Sequence, residues 1–63
     1  MTKAYKIFTR NHIARIERAK PEYAKKWLVE RAIPFFNVHK DDFTEEERVD
    51  ISDYIANIKR DLS

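Results

Sequence analysis

The sequence predicts an all-α, compact three-helix domain, and three observations carry that expectation. Glycine is absent from all 63 residues, which removes the easiest positive-φ positions and with them tight hairpin turns, glycine C-caps and phosphate-cradling loops. Hydrophobic residues make up 43% of the chain and aromatics 13%, enough for a core despite 38% charge. Apolar residues recur at helical spacing in stretches at about 10–19, 21–33 and 44–62, between recognisable start and stop signals.

The first helix is expected over about 10–19, with Thr9 as its N-cap and Ile13 and Ile16 turned inward. Pro21 opens the second, since the first helical position has no use for the N–H that proline lacks. Tyr23, Ala24, Trp27 and Leu28 form its buried face, and Glu22–Lys26 and Lys26–Glu30 are i, i+4 pairs on the outside. Pro34 is expected to end this helix, because the residue before a proline is pushed out of the helical region. The third is the clearest. Thr44 with Glu47 three residues on is a capping box, and Glu45 and Glu46 add negative charge at the positive helix end. Ile51, Ile55, Ile58 and Leu62 then mark one apolar stripe, with Tyr54 beside them and Lys59 and Arg60 at the far end. Segments 4–8 and 35–39 are compatible with helix or with short extended strands that pair as a ribbon.

A chain of this length is one domain, residues 1–63, whose small core yields only about 3–5 kcal/mol of net stability. It contains no Cys, so disulfides and thiolate metal sites are excluded. No run approaches the roughly 18 apolar residues of a membrane span, and Met1-Thr2-Lys3 is followed by no signal-type apolar region. A cytoplasmic protein without membrane association is expected. The net charge of +2 conceals a division. Residues 1–34 carry nine bases and three acids, and residues 35–63 carry four bases and eight acids. A basic half of this kind suits a polyanion, because each neutralised phosphate releases condensed counterions.

The residues offer no catalytic constellation, so no enzyme and no cofactor are expected. His12 and His39 lack i, i+4 or Cys partners for zinc. His39-Lys40-Asp41-Asp42 has neither calcium-loop spacing nor its glycine, and reads as a solvated turn. Ser52 and Ser63 have no nucleophile-elbow context, and Glu45–Glu47 are accounted for by capping. What remains is binding. In a helix-turn-helix reading, Ala14 is the small residue where two helices cross, and Ala24 and Trp27 point inward. Lys20, Glu22, Lys25, Lys26 and Val29 face outward as a recognition surface. Arg15, Arg18 and Lys20 then contact phosphates, while Lys25, Lys26 and Glu22 approach base edges.

The stretch from Ala14-Arg15 through Ala24-Lys25-Lys26-Trp27 to Glu30-Arg31-Ala32-Ile33-Pro34, followed by Phe43-Thr44-Glu45-Glu46, resembles the winged helix-turn-helix of the MerR and phage-excisionase type. In that pattern an Ala precedes a Trp by thirteen residues, and an apolar-Pro exit leads into a wing. The turn glycine of the pattern is Arg18 here, and its apolar neighbour is Ala19. The resemblance covers residues 13–62 and implies a small DNA-binding regulatory or recombination-accessory protein. A single short module binds weakly, so a dimer or several copies on DNA are expected. A second, shorter resemblance runs over residues 16–33. There Ile16-Glu17-Arg18-Ala19-Lys20-Pro21-Glu22, Trp27 and Glu30-Arg31-Ala32-Ile33 are similar to a helix junction of the theta subunit of bacterial DNA polymerase III. It implies the alternative, a small adaptor or inhibitor of a larger protein. The interface residues for that alternative are Phe35 and Phe36 as aromatic anchors and Asp41, Asp42, Glu46 and Asp50 as an acidic face.

Overall fold

The computed structural model describes residues 1–62, and they form three helices with no strand among them. Helix α1 (residues 3–18) joins Lys3–Phe8, Thr9–Ile13 and Ala14–Arg18 into one run. Helix α2 (residues 21–38) likewise joins Pro21–Trp27, Leu28–Ala32 and Ile33–Val38. A 3-10 turn at Lys40–Asp42 leads to helix α3, Glu45–Leu62.

The middle of both α1 and α2 is a widened, π-type turn. The Ala14 N–H reaches back to the Thr9 carbonyl and the Ile33 N–H to that of Leu28, one residue further than in an α-helix. The buried residues explain why. They stand at Phe8, His12 and Ile16 on α1 and at Ala24, Leu28, Ala32 and Phe36 on α2, a strict spacing of four. At 3.6 residues per turn, a spacing of four drifts about 40° around the helix at each step. A π turn is underwound, so it cancels part of that drift and keeps the series on one face. Phe8 and Leu28 are each 0% exposed as a result.

These widened turns also overturn two expected boundaries. Pro34 does not end α2. Ile33 keeps helical angles, φ −62° and ψ −47°, and the helix runs on to Val38. A proline ring inside a helix strikes the carbonyl four residues back. Here that carbonyl belongs to Glu30, inside the widened turn, where the ordinary geometry is relaxed. Segment 35–39 is therefore helical up to Val38, segment 4–8 is helical too, and no ribbon forms. Thr9 is not an N-cap. Its hydroxyl donates back to the Tyr5 and Lys6 carbonyls from within α1. The cap is Thr2, extended at ψ 160°, whose Oγ1 accepts the Tyr5 N–H at 3.1 Å.

Between α1 and α2 lie only Ala19 and Lys20, both extended at ψ 156° and 153°. No described residue has positive φ, as a chain without glycine prefers. The pairings Phe8–Phe35 and His12–Trp27 descend one helix while climbing the other, so α1 and α2 pack antiparallel along their length. This junction is shorter than the 3–4-residue turn of a helix-turn-helix. Where the winged pattern places its wing, the chain has the end of α2 and the 3-10 turn.

Helix α3 begins as expected. The Glu47 N–H donates to Thr44 Oγ1 at 3.1 Å, and Glu47 Oε1 accepts the Thr44 N–H at 2.9 Å. Ile51 is buried, and Tyr54, Ile55, Ile58 and Leu62 are half-buried against the same core. Phe36 meets Phe43 at 5.5 Å between ring centres. Arg48 closes the connection by donating to the Lys40 and Phe43 carbonyls. Tyr54 donates to Glu17 at 3.3 Å, and burial, then that carboxylate, pushes its phenol up to about 12.

Candidate functional site: a basic cleft over Trp27

Trp27 was expected inside and is only half-buried. Its edge is fixed by a neighbour on α1: Nε1–H donates to Nδ1 of His12 at 3.0 Å. His12 is buried among rings, with Phe35 at 4.9 Å and Phe8 at 5.4 Å between centres. Burial first, and then the Arg15 guanidinium, hold its pKa below the ordinary histidine value. Neutral His12 is therefore the form that accepts the indole proton.

Above the indole sit two guanidinium groups, Arg15 with its carbon 4.4 Å from the ring centre and Arg31 at 5.6 Å. Both distances fall within cation–π range. Arg15, Trp27 and Arg31 lie at the shared centre of one groove, because all three line both of the clefts that meet there. One cleft, about 550 Å³, is bounded further by Arg10, Asn11, His12, Ala14, Arg18 and Phe35. The other, about 490 Å³, is bounded by Ala19, Tyr23, Lys26 and Glu30. Among the described residues no carboxylate is paired with Arg10, Arg15, Arg18 or Arg31. Glu30 is the one acid lining either cleft. Unpaired guanidinium groups held in place by an aromatic face leave their N–H edges for an anion.

Of the residues expected to bind DNA, Arg15 and Arg18 line the first cleft and Lys26 the second. Lys20 is exposed at the junction, and Glu22 and Lys25 are exposed on α2 outside both clefts. Arg10, Arg31 and His12 were not among the expected site residues. Arg31 stands four residues after Trp27 on the same helix, a spacing already implied by a helix over 21–33, and it places the guanidinium over the ring. Tyr23, expected to be buried, is 67% exposed beside the second cleft. The four-residue series of buried positions passes through Ala24 and leaves Tyr23 on the flank.

The residues of the adaptor alternative are scattered. Phe36 is in the core, so it presents no anchor at the surface. Phe35 is half-buried against His12 and His39. Asp41 and Asp42 lie in the 3-10 turn, with Asp42 3.1 Å from His39 Nδ1. Glu46 and Asp50 border a different hollow, beside Met1 and Tyr5. Among the described residues no group of three or more His, Cys, Asp or Glu is placed to hold a metal ion. No described helix is long and apolar enough to cross a membrane.

Comparison with protein-family models, with curated proteins and with solved structures finds no match in any of the three.

Proposed function

We propose that this chain is a non-enzymatic DNA-binding protein that grips the phosphate backbone through the α1–α2 face. The observation that carries this reading is the group of Arg10, Arg15, Arg18 and Arg31 around Trp27, unpaired with any described carboxylate. Four arginines lining one cleft concentrate positive potential there, which favours an oxyanion. The acidic residues gather instead in the 3-10 turn and the first turns of α3. A regulatory or recombination-accessory role is what the excisionase-type resemblance adds. A single module this small binds weakly, so the working form is a dimer or several copies side by side.

The test is a fluorescence-anisotropy titration of labelled mixed-sequence DNA, in single-stranded and duplex form, at about 50 and 200 mM salt. Neutralising four phosphates gives a log–log salt slope of about −3 to −4, which is a loss on the order of 100-fold in affinity across that range. Binding of either form with such a slope supports the reading. Absence of binding to both forms at the lower salt overturns it.

A further inference from the structure

The shape of the site bears on which form of nucleic acid it takes. Packed helices lie about 8–10 Å apart, so a cleft running between two of them is narrower than a duplex. Of the charges here, Arg15 and Arg31 sit over the indole and line both clefts, in the middle of the groove. A duplex is a convex cylinder and meets only the rims of such a groove. A single strand has one backbone and turns its bases aside, so it reaches the floor.

The floor has what exposed bases require. On each side of this centre is an open cleft, about 550 Å³ and about 490 Å³, with room for a nucleotide. Tyr23 stands 67% exposed at the second, although an aromatic ring with an apolar face gains by being covered. The guanidinium groups over the indole are further platforms, because bases stack on arginine as well as on aromatic rings. The Trp27 N–H is occupied by His12, so the indole gives a face and no directional contact to a base edge. A basic groove with aromatic platforms suits strand recognition through stacking and phosphate contacts, without strict sequence preference.

We infer that the cleft binds single-stranded nucleic acid in preference to duplex, with phosphates on Arg15 and Arg31 and a base stacked on Tyr23. This inference rests on the DNA-binding reading above and deepens it.

The experiment compares a labelled oligothymidylate of about 16 nucleotides, near the upper site size of small single-strand-binding domains, with its duplex at the same low salt. Wild type, Tyr23→Ala and Arg31→Ala are each titrated. Both side chains are exposed, and circular dichroism confirms that the variants keep their helices. Trp27, the only tryptophan, supplies a second readout through its fluorescence. The expected result is single-strand affinity about tenfold or more above duplex, with a change in Trp27 emission at saturation. Tyr23→Ala is expected to weaken the single-strand complex about fivefold or more, and the duplex complex by clearly less. Equal or tighter duplex binding overturns the inference while leaving the DNA-binding reading in place. An unaltered single-strand affinity in Tyr23→Ala overturns it as well. Binding to neither form removes both.

Discussion

The indole N–H of Trp27 donates to Nδ1 of His12 across the α1–α2 hairpin at 3.0 Å, which ties the floor of the basic cleft to the protonation state of one buried ring. Nδ1 accepts only while it carries no proton. The packing of the core and the shape of the site therefore depend on the same titration.

Acid is expected to loosen the hairpin. The folded-state pKa of His12 lies below its ordinary value of 6.5, through burial first and the Arg15 charge second. The unfolded chain then binds the proton more readily, so this contribution to stability is intact above about pH 6.5. It is lost as the pH falls through the lowered folded value. Thermal melts followed by circular dichroism between neutral pH and about pH 5 are expected to show a falling midpoint. His12→Gln, which offers a neutral oxygen acceptor in place of Nδ1, is expected to flatten that fall. An equally steep fall in His12→Gln would assign the pH dependence elsewhere.

Replacing Pro34 with Ala is expected to leave the helical content unchanged and to stabilise the fold. Alanine restores an N–H and better helix propensity, against a smaller entropic gain that proline gives through the unfolded chain. The balance is a stabilisation of about 1–2 kcal/mol. A large rise in helical signal in Pro34→Ala would mean instead that the native helix stops before this position.

How far the sequence can be read depends on the range over which each signal acts. Helix α3 was legible in full because its capping box and its isoleucine stripe lie within one continuous segment. The continuation of α2 past Pro34 was not, because a proline stop signal considers only adjacent residues. The relief comes from a widened turn beginning six residues earlier, at Leu28. The same limit applies to the site. Arg15, Arg18 and Lys26 were accessible as charges, but a cleft made of Arg15 on one helix and Trp27 and Arg31 on the other requires the register of an antiparallel pair. One clue was present in the residues: the series Ala24, Leu28, Ala32 and Phe36 repeats every four, which an undisturbed α-helix does not keep on one face.

Glu47 is expected to matter more than an ordinary capping residue. Its Oε1 accepts from the Thr44 N–H at 2.9 Å and from the Thr2 hydroxyl at 2.7 Å, while Oε2 accepts the Thr2 N–H at 2.9 Å. One carboxylate thus closes the start of α3 and anchors the cap of α1. Burial by itself raises its pKa, but the hydrogen bonds from Thr44 and Thr2 outweigh that and hold it below the ordinary glutamate value. Its stabilising effect is present above the unfolded value of 4.5 and is lost as the pH falls through the lower folded one. Thr44→Ala, which removes one cap, is expected to cost about 1 kcal/mol, a melting shift of about 4–8 °C. Glu47→Ala should shift the midpoint further, because it also releases Thr2. A Glu47→Ala shift no larger than that of Thr44→Ala would show that the Thr2 contacts add nothing.

The two adjacent lysines of α2 are expected to separate in a binding assay. Lys26 borders the second cleft with Arg15, Tyr23 and Trp27, whereas Lys25 is exposed outside both clefts. The double variant Lys25→Ala/Lys26→Ala should bind DNA more weakly and lower the salt slope by about 1, the share of one phosphate contact. Most of that change should already be present in Lys26→Ala alone. A recognition helix inserted in the major groove makes the opposite demand, since it reads bases with the outermost side chains and would lose as much or more on removal of Lys25. The single variants therefore discriminate between two ways of holding DNA. A loss confined to Lys25→Ala would move the contact to the outer face of α2 and leave the cleft without a role, and an unchanged double variant would remove α2's lysines from the interface altogether.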